Sequence, residues 1–69
     1  MSTEELASVA DPDQMMHRVR WDMGYASWFA EAAVVDETIE QMNLAYPGTL
    51  HWRESRPIRA IVEAGETLP

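Results

Sequence analysis

Along residues 21–46, WDMGYASWFAEAAVVDETIEQMNLAY, apolar side chains recur at alternating spacings of four and three: Trp21, Tyr25, Trp28, Ala32, Val35, Ile39, Met42 and Tyr46. At about 100° per residue these fall on one side of a helix. A second row, Met16, Val19, Met23, Ala26, Ala30, Ala33, Val34 and Leu44, falls roughly opposite and is dominated by smaller residues. Arg18, Asp22, Asp36 and Glu40 run down one seam between the rows, and Arg20, Ser27, Glu31 and Thr38 down the other. The pattern predicts one long central helix with two apolar sides.

Start and stop signals give it bounds. In "DPDQ" at 11–14, Asp11 suits an N-cap, Pro12 the first helical position, Asp13 the helix dipole and Gln14 the capping-box position. Nothing halts the helix before "YPGT" at 46–49, where Pro47 disfavours helical geometry at Tyr46 and Gly48 suits a turn. A helix over about 12–45 would be ~50 Å long, with Gly24 as its weak point. A short helix over about 3–10 precedes it, from the Ser2 and Glu5 capping pair, and "TLHWRE" at 49–54 reads as extended. A last helix over about 56–64 has Ser55 as cap, Pro57 in its first turn and Gly65 as its stop. The expected fold class is all-α, one small helical domain over 1–69.

Size raises the question of what covers two apolar sides. A chain of 69 residues buries only about 60% of the surface it exposes unfolded, and without cysteine it has neither a disulfide nor a thiolate metal site to supply the difference. The flanking helices offer Leu6 and Val9 on one side and Ile58, Ile61 and Val62 on the other, too little to cover a long rod. The expectation is a helical homodimer, with Met23, Ala26, Ala30 and Ala33 as the candidate contact, because small residues let helix axes approach closely. The aromatic row holds Trp21 and Trp28, large rigid side chains of the kind enriched at interaction hot spots.

Charge narrows the partners. The net charge is −7 with no lysine, and residues 1–40 carry nine of the acids against Arg18 and Arg20 alone. That balance makes nucleic acid an unlikely partner, since cation density supplies most affinity for phosphate backbones. The longest charge-free stretch in the central segment, Met23 to Ala30, is eight residues, far below the ~20 needed to span a bilayer. No membrane association is expected, and without a signal-peptide pattern the expected compartment is cytoplasmic.

Chemistry-bearing residues are sparse. Trp52, Arg53, Arg56 and Arg59 in "WRESRPIR" could grip a carboxylate or phosphate through guanidinium forks, or pair with the chain's own acids. Together with Trp21 and Trp28 they are the candidate partner-binding residues. Asp13 and His17 have helical spacing for half a metal site, but no third ligand accompanies them and His51 lies in another element. No nucleophile with a recognisable base, Gly-rich phosphate loop or cofactor fingerprint is present, so no catalytic, cofactor or metal residue is assigned. The sequence thus points to a small acidic, non-enzymatic protein-protein interaction module that binds and modulates or inhibits a larger protein. The alternatives are an accessory small subunit of an enzyme complex and, on a weaker footing, a nucleic-acid-binding regulator.

Overall fold

A computed structural model of the chain describes residues 11–66. It is an α+β fold: strand β1 (Met15–Trp21), strand β2 (Gly24–Tyr25), helix α1 (Ala32–Ala45), strand β3 (Trp52–Pro57) and a short helix α2 (Ile58–Glu63). The sheet order is β2-β1-β3, and both outer strands are antiparallel to the central one. β2 and β3 are therefore parallel to each other, and α1 is the crossover that carries the chain past β1.

This overturns the all-α expectation. Of the helix expected over 12–45, only the second half exists; residues 15–29 form a hairpin and its continuation. The reason lies in a second periodicity that "HRVRW" also satisfies, with His17, Val19 and Trp21 alternating against Arg18 and Arg20, the period of a strand. Val, Trp, Tyr and Phe side chains favour the pleated surface. Asp22 and Met23 form the two-residue hairpin loop, between the paired Trp21 and Gly24. Gly24, read above as the weak point of a helix, opens β2 instead, where a Cβ would sit 3.4 Å from the Trp21 ring.

The expected N-cap at Asp11 makes a turn. Its Oδ1 accepts from the Asp13 N–H at 2.8 Å, and its carbonyl accepts from the Gln14 N–H at 2.9 Å. Asp followed by Pro is a turn signal as much as a helix-start signal, because Pro presets the backbone for the second turn position and Asp bonds its own backbone two residues on. The turn then caps α2: its Gln14 and Pro12 carbonyls accept from the Ile58 and Arg59 N–H groups at 3.0 and 2.9 Å. α2 needs no side-chain cap, and Ser55, expected to supply one, lies within β3. The last helix thus spans Ile58–Glu63 and not 56–64, with Pro57 closing β3 before it. The helix expected over 3–10 lies outside the described residues.

Other signals act as read. α1 ends at Ala45, and the Thr49 N–H donates to the Tyr46 carbonyl at 3.0 Å across "YPGT". Gly65 has φ 79° and stops α2, with the Gly65 N–H on the Val62 carbonyl and the Glu66 N–H on the Ile61 carbonyl. That paired bonding is the Schellman arrangement, for which glycine is favoured because it carries no Cβ penalty at positive φ.

Beyond β2 the chain keeps following β1. The Ala26 N–H donates to the Val19 carbonyl at 3.0 Å, and His17 and Phe29 exchange two bonds of 2.7 Å. Between these points the register slips by one residue, from Arg20 opposite Tyr25 to His17 opposite Phe29. The extra residue is a bulge in Ser27–Trp28, the kind of irregularity that re-aims a side chain, and Trp28 is buried there.

Among the described residues the apolar core consists of Val19, Trp28, Val35, Ile58 and Ile61. Ile61 is fully buried and its neighbour Val62 exposed, which gives a matched test of this packing. Ile61→Ala should cost about 2–5 kcal/mol through lost burial and a residual cavity. Val62→Ala should change stability by no more than about 0.5 kcal/mol. Urea titrations followed by far-UV circular dichroism would check both.

Candidate functional site

Alternation along the strands gives the sheet two different faces. His17, Val19 and Trp21 of β1 share one face with Ser55 and Arg53 of β3; Met16, Arg18 and Arg20 share the other with Arg56, Glu54 and Trp52. α1 lies over the first face, where Arg53 Nη1 donates to Asp36 Oδ2 at 2.8 Å. On the same face His17 Nδ1 and Ser55 Oγ, directly opposite each other, are hydrogen-bonded at 2.7 Å.

The second face is organised by Arg18, which is 2% exposed. Its Nε donates to Glu54 Oε1 at 2.5 Å and its Nη1 to Glu66 Oε1 at 2.7 Å. The guanidinium carbon lies 4.0 Å from the Tyr25 ring centroid and 4.2 Å from that of Trp28. Arg20 Nη1 reaches both oxygens of Glu54 at 3.1 and 3.0 Å, and Arg56 Nη2 reaches Oε2 at 2.9 Å. Burial pushes the Glu54 carboxyl up, but the hydrogen bonds from Arg18 and Arg20 and the charges of Arg18 and Arg56 outweigh it and hold the pKa below its ordinary value. Glu54 is a fixed anion, suited to holding cations and not to donating a proton.

The structure disperses the residues singled out in the sequence. Arg53, Arg56 and Arg59 are engaged by Asp36, Glu54 and Asp13 respectively, with Arg53 and Arg56 on opposite sheet faces. Trp52 stands beside Arg20 on the second face. Trp28 is buried and, among the described residues, its Nε1 is the buried side-chain polar atom without a hydrogen-bond partner. Asp13 and His17 do not come together as metal ligands, since one pairs with Arg59 and the other with Ser55. Met23 is in the hairpin loop, Ala26 follows β2, Ala30 is in the connection and Ala33 is in α1. The four share no helical row, so the geometric basis for a helix-paired homodimer is gone.

Trp21 opens onto a concave surface. A groove of about 360 Å³ is lined by Trp21, Met23, Met42, Tyr46, Thr49 and His51. Three local signals converge there. The hairpin loop brings Met23 beside Trp21, the end of α1 presents Met42 and Tyr46, and the "YPGT" turn folds the chain back so that Thr49 and His51 return to the helix they have just left.

His51 is 5% exposed and clamped to α1 by Asn43. The His51 backbone N–H donates to Asn43 Oδ1 at 3.0 Å, and Asn43 Nδ2 donates to the His51 carbonyl at 3.4 Å. A backbone N–H can only donate, so the Asn43 atom facing it must be the oxygen. That oxygen is also 2.8 Å from His51 Nδ1, and two acceptors do not bond, so Nδ1 carries a proton. The Trp21 and His51 rings sit 5.6 Å apart at 56°. Sequence reading set His51 aside because it lay in a different element from His17; the usable signal was Asn43, eight residues before it across a turn.

The Arg18 cluster carries the prediction of this section. Glu54→Gln should destabilise the chain at neutral pH by less than the about 3–5 kcal/mol typical of a wholly orphaned buried charge, because Glu66 still holds Arg18. With its folded pKa depressed, Glu54 contributes stability that is complete above the pKa of an unfolded glutamate and is lost as pH falls through the lower folded value. The gap between wild type and Glu54→Gln should therefore close on acidification, as chemical denaturation at a series of pH values would measure. Compared with models of protein families, with curated proteins and with solved structures, the chain matches none.

Proposed function

We propose that this chain is a non-enzymatic protein-protein interaction module that binds a larger protein and modulates or inhibits it. The observation that carries this reading is the apolar surface around the groove. Met23 and Tyr46, both lining the groove, are 91% and 61% exposed. Isolated exposed apolar residues are ordinary, but large ones lining a concave apolar surface mark an association site. Methionine at such a site adapts its shape to the partner, and tryptophan supplies a rigid anchor.

The remaining polar chemistry fits binding better than turnover. The described arginines are all occupied by the chain's own carboxylates, and Glu54 is held as an anion. No described helix is long and apolar enough to cross a membrane, so the exposed apolar side chains are not explained as part of a spanning helix.

Photo-crosslinking in the native host tests the reading. A benzophenone side chain at Met23 or Tyr46, both lining the groove, should yield one discrete adduct with a protein larger than this chain. The same probe at Glu37, exposed on α1, should yield none. Equal labelling from Glu37, no adduct from either groove position, or an adduct at twice the chain's own mass would overturn the proposal.

A further inference from the structure

β3 is an outer strand of the sheet, and the hydrogen bonds of β1 fix which of its backbone groups are already used. The His17 N–H and C=O both bond Phe29, on the side of β1 away from β3. Backbone groups alternate from side to side along a strand, so Met16, Arg18 and Arg20 bond β3, and their partners Arg56, Glu54 and Trp52 turn toward β1. The N–H and C=O groups of Arg53 and Ser55 therefore point outward, and among the described residues they have no backbone partner there. Both residues are exposed. At His51, next in the outward series, Asn43 occupies both backbone groups. At Pro57 there is no N–H to leave open. The open edge is thus confined to Arg53–Pro57.

We infer that this edge pairs antiparallel with β3 of a second copy of the chain, about a two-fold axis at Ser55. Charges on an edge strand ordinarily keep a further strand away, but those of β3 complement a copy of β3 in one register. Opposed residues in an antiparallel pair turn their backbone groups either both toward each other or both away, so Arg53 and Ser55 can face only residues of their own outward series. That rule leaves axes at Arg53, Glu54, Ser55 or Arg56. An axis at either arginine sets it against its own copy, and an axis at Glu54 sets two carboxylates together. The axis at Ser55 sets Glu54 opposite Arg56 of the second copy and Arg56 opposite its Glu54. Opposite charges directly across an antiparallel pair attract, and like charges there repel. Arg56 is free to serve, because the Arg18 cluster holds Arg18, Arg20 and Arg56 against Glu54 and Glu66, leaving one cation in surplus. Ser55 then exchanges N–H and C=O bonds with its counterpart, and the Arg53 N–H faces the Pro57 carbonyl of the copy. The product is one sheet in the order β2-β1-β3-β3-β1-β2, with both copies of α1 on the same face. The groove lies beyond the Asn43 clamp, outside the paired segment, so this inference stands apart from the interaction-module reading.

The test is equilibrium sedimentation of the full chain, joined to amide hydrogen exchange of the ¹⁵N-labelled protein. The wild type should sediment as a reversible dimer, with the Arg53 and Ser55 amides exchanging more slowly as concentration rises. Ser55→Pro removes the outward donor while leaving the bonds to β1, because proline is accommodated where a strand N–H faces away from its neighbour. Arg56→Glu sets like charges together twice about the axis. Each should weaken dimerisation about tenfold or more, while Asp22→Lys, an equal change of charge in the hairpin loop, should leave it as in wild type. Circular dichroism checks that the variants fold, and Arg56→Glu decides should Ser55→Pro fail to do so. A wild type that stays monomeric at every concentration would overturn the inference, and so would a dimer that folded Arg56→Glu forms as tightly as wild type. Arg53 and Ser55 amides protected equally at all concentrations would also overturn it, since the chain's own residues would then cover the edge.

Discussion

Arg18 occupies the central strand with its guanidinium withdrawn from water, and its partners come from almost every other part of the fold. Tyr25 is in β2, Trp28 in the bulge beyond it, Glu54 in β3 and Glu66 just past the stop of α2. A buried cation is costly unless its charge is matched and its donors used, so the elements that supply these partners must assemble together. Gly65 belongs to the same requirement, because its left-handed turn directs the chain that brings Glu66 back to Arg18. Well-packed apolar residues could serve stability equally well, since buried ion pairs often do no better than apolar replacements. What the cluster adds is register: a one-residue slip of β1 would carry Arg18 to the face beneath α1, away from Glu54.

The charge pattern of the sequence acquires its meaning from this assembly. The early arginines, Arg18 and Arg20, find late acids, Glu54 and Glu66, while the late arginines Arg53 and Arg59 find the earlier acids Asp36 and Asp13. Cross-pairing of the two halves through an antiparallel sheet is the physical content of the lopsided distribution. The alternative weighed for the "WRESRPIR" arginines, that they pair with the chain's own acids, is what their geometry displays. Arg53 and Arg59 are exposed enough that their pairs contribute little individually; the Arg18 cluster is the one withdrawn from solvent.

Local chemistry was legible where it had a single meaning. "YPGT" as a turn, Gly65 as a stop and, where it meets β3 at Trp52–Glu54, the extended reading of 49–54 follow from short-range rules, and each is present. The hairpin was not legible because its residues satisfy two periods at once. Trp21, Tyr25 and Trp28 are spaced four and three apart as a helix requires, yet in the structure they stand on different strands and faces. "DPDQ" was equally double, serving as a turn where a cap was expected. What decided between the readings was pairing with β3, whose residues lie 32 to 42 positions away from their partners in β1. No window along the chain contains that interaction, and tertiary pairing of this kind overrides local propensity.

The groove shows how a structural device can also set the character of a surface. Asn43 satisfies both backbone groups of His51 and so fastens the chain to α1 after the "YPGT" turn. The same oxygen that accepts the backbone N–H also fixes a proton on Nδ1. Two aromatic walls and the end of α1 are thus brought together by elements that the fold requires for other reasons. A surface built from such constraints keeps its shape before a partner arrives, so less ordering remains to oppose association. In a chain with so small a core, that rigidity depends on the cluster on the far face: anything that loosens Arg18 also loosens β1, and with it Trp21 and the wall of the groove.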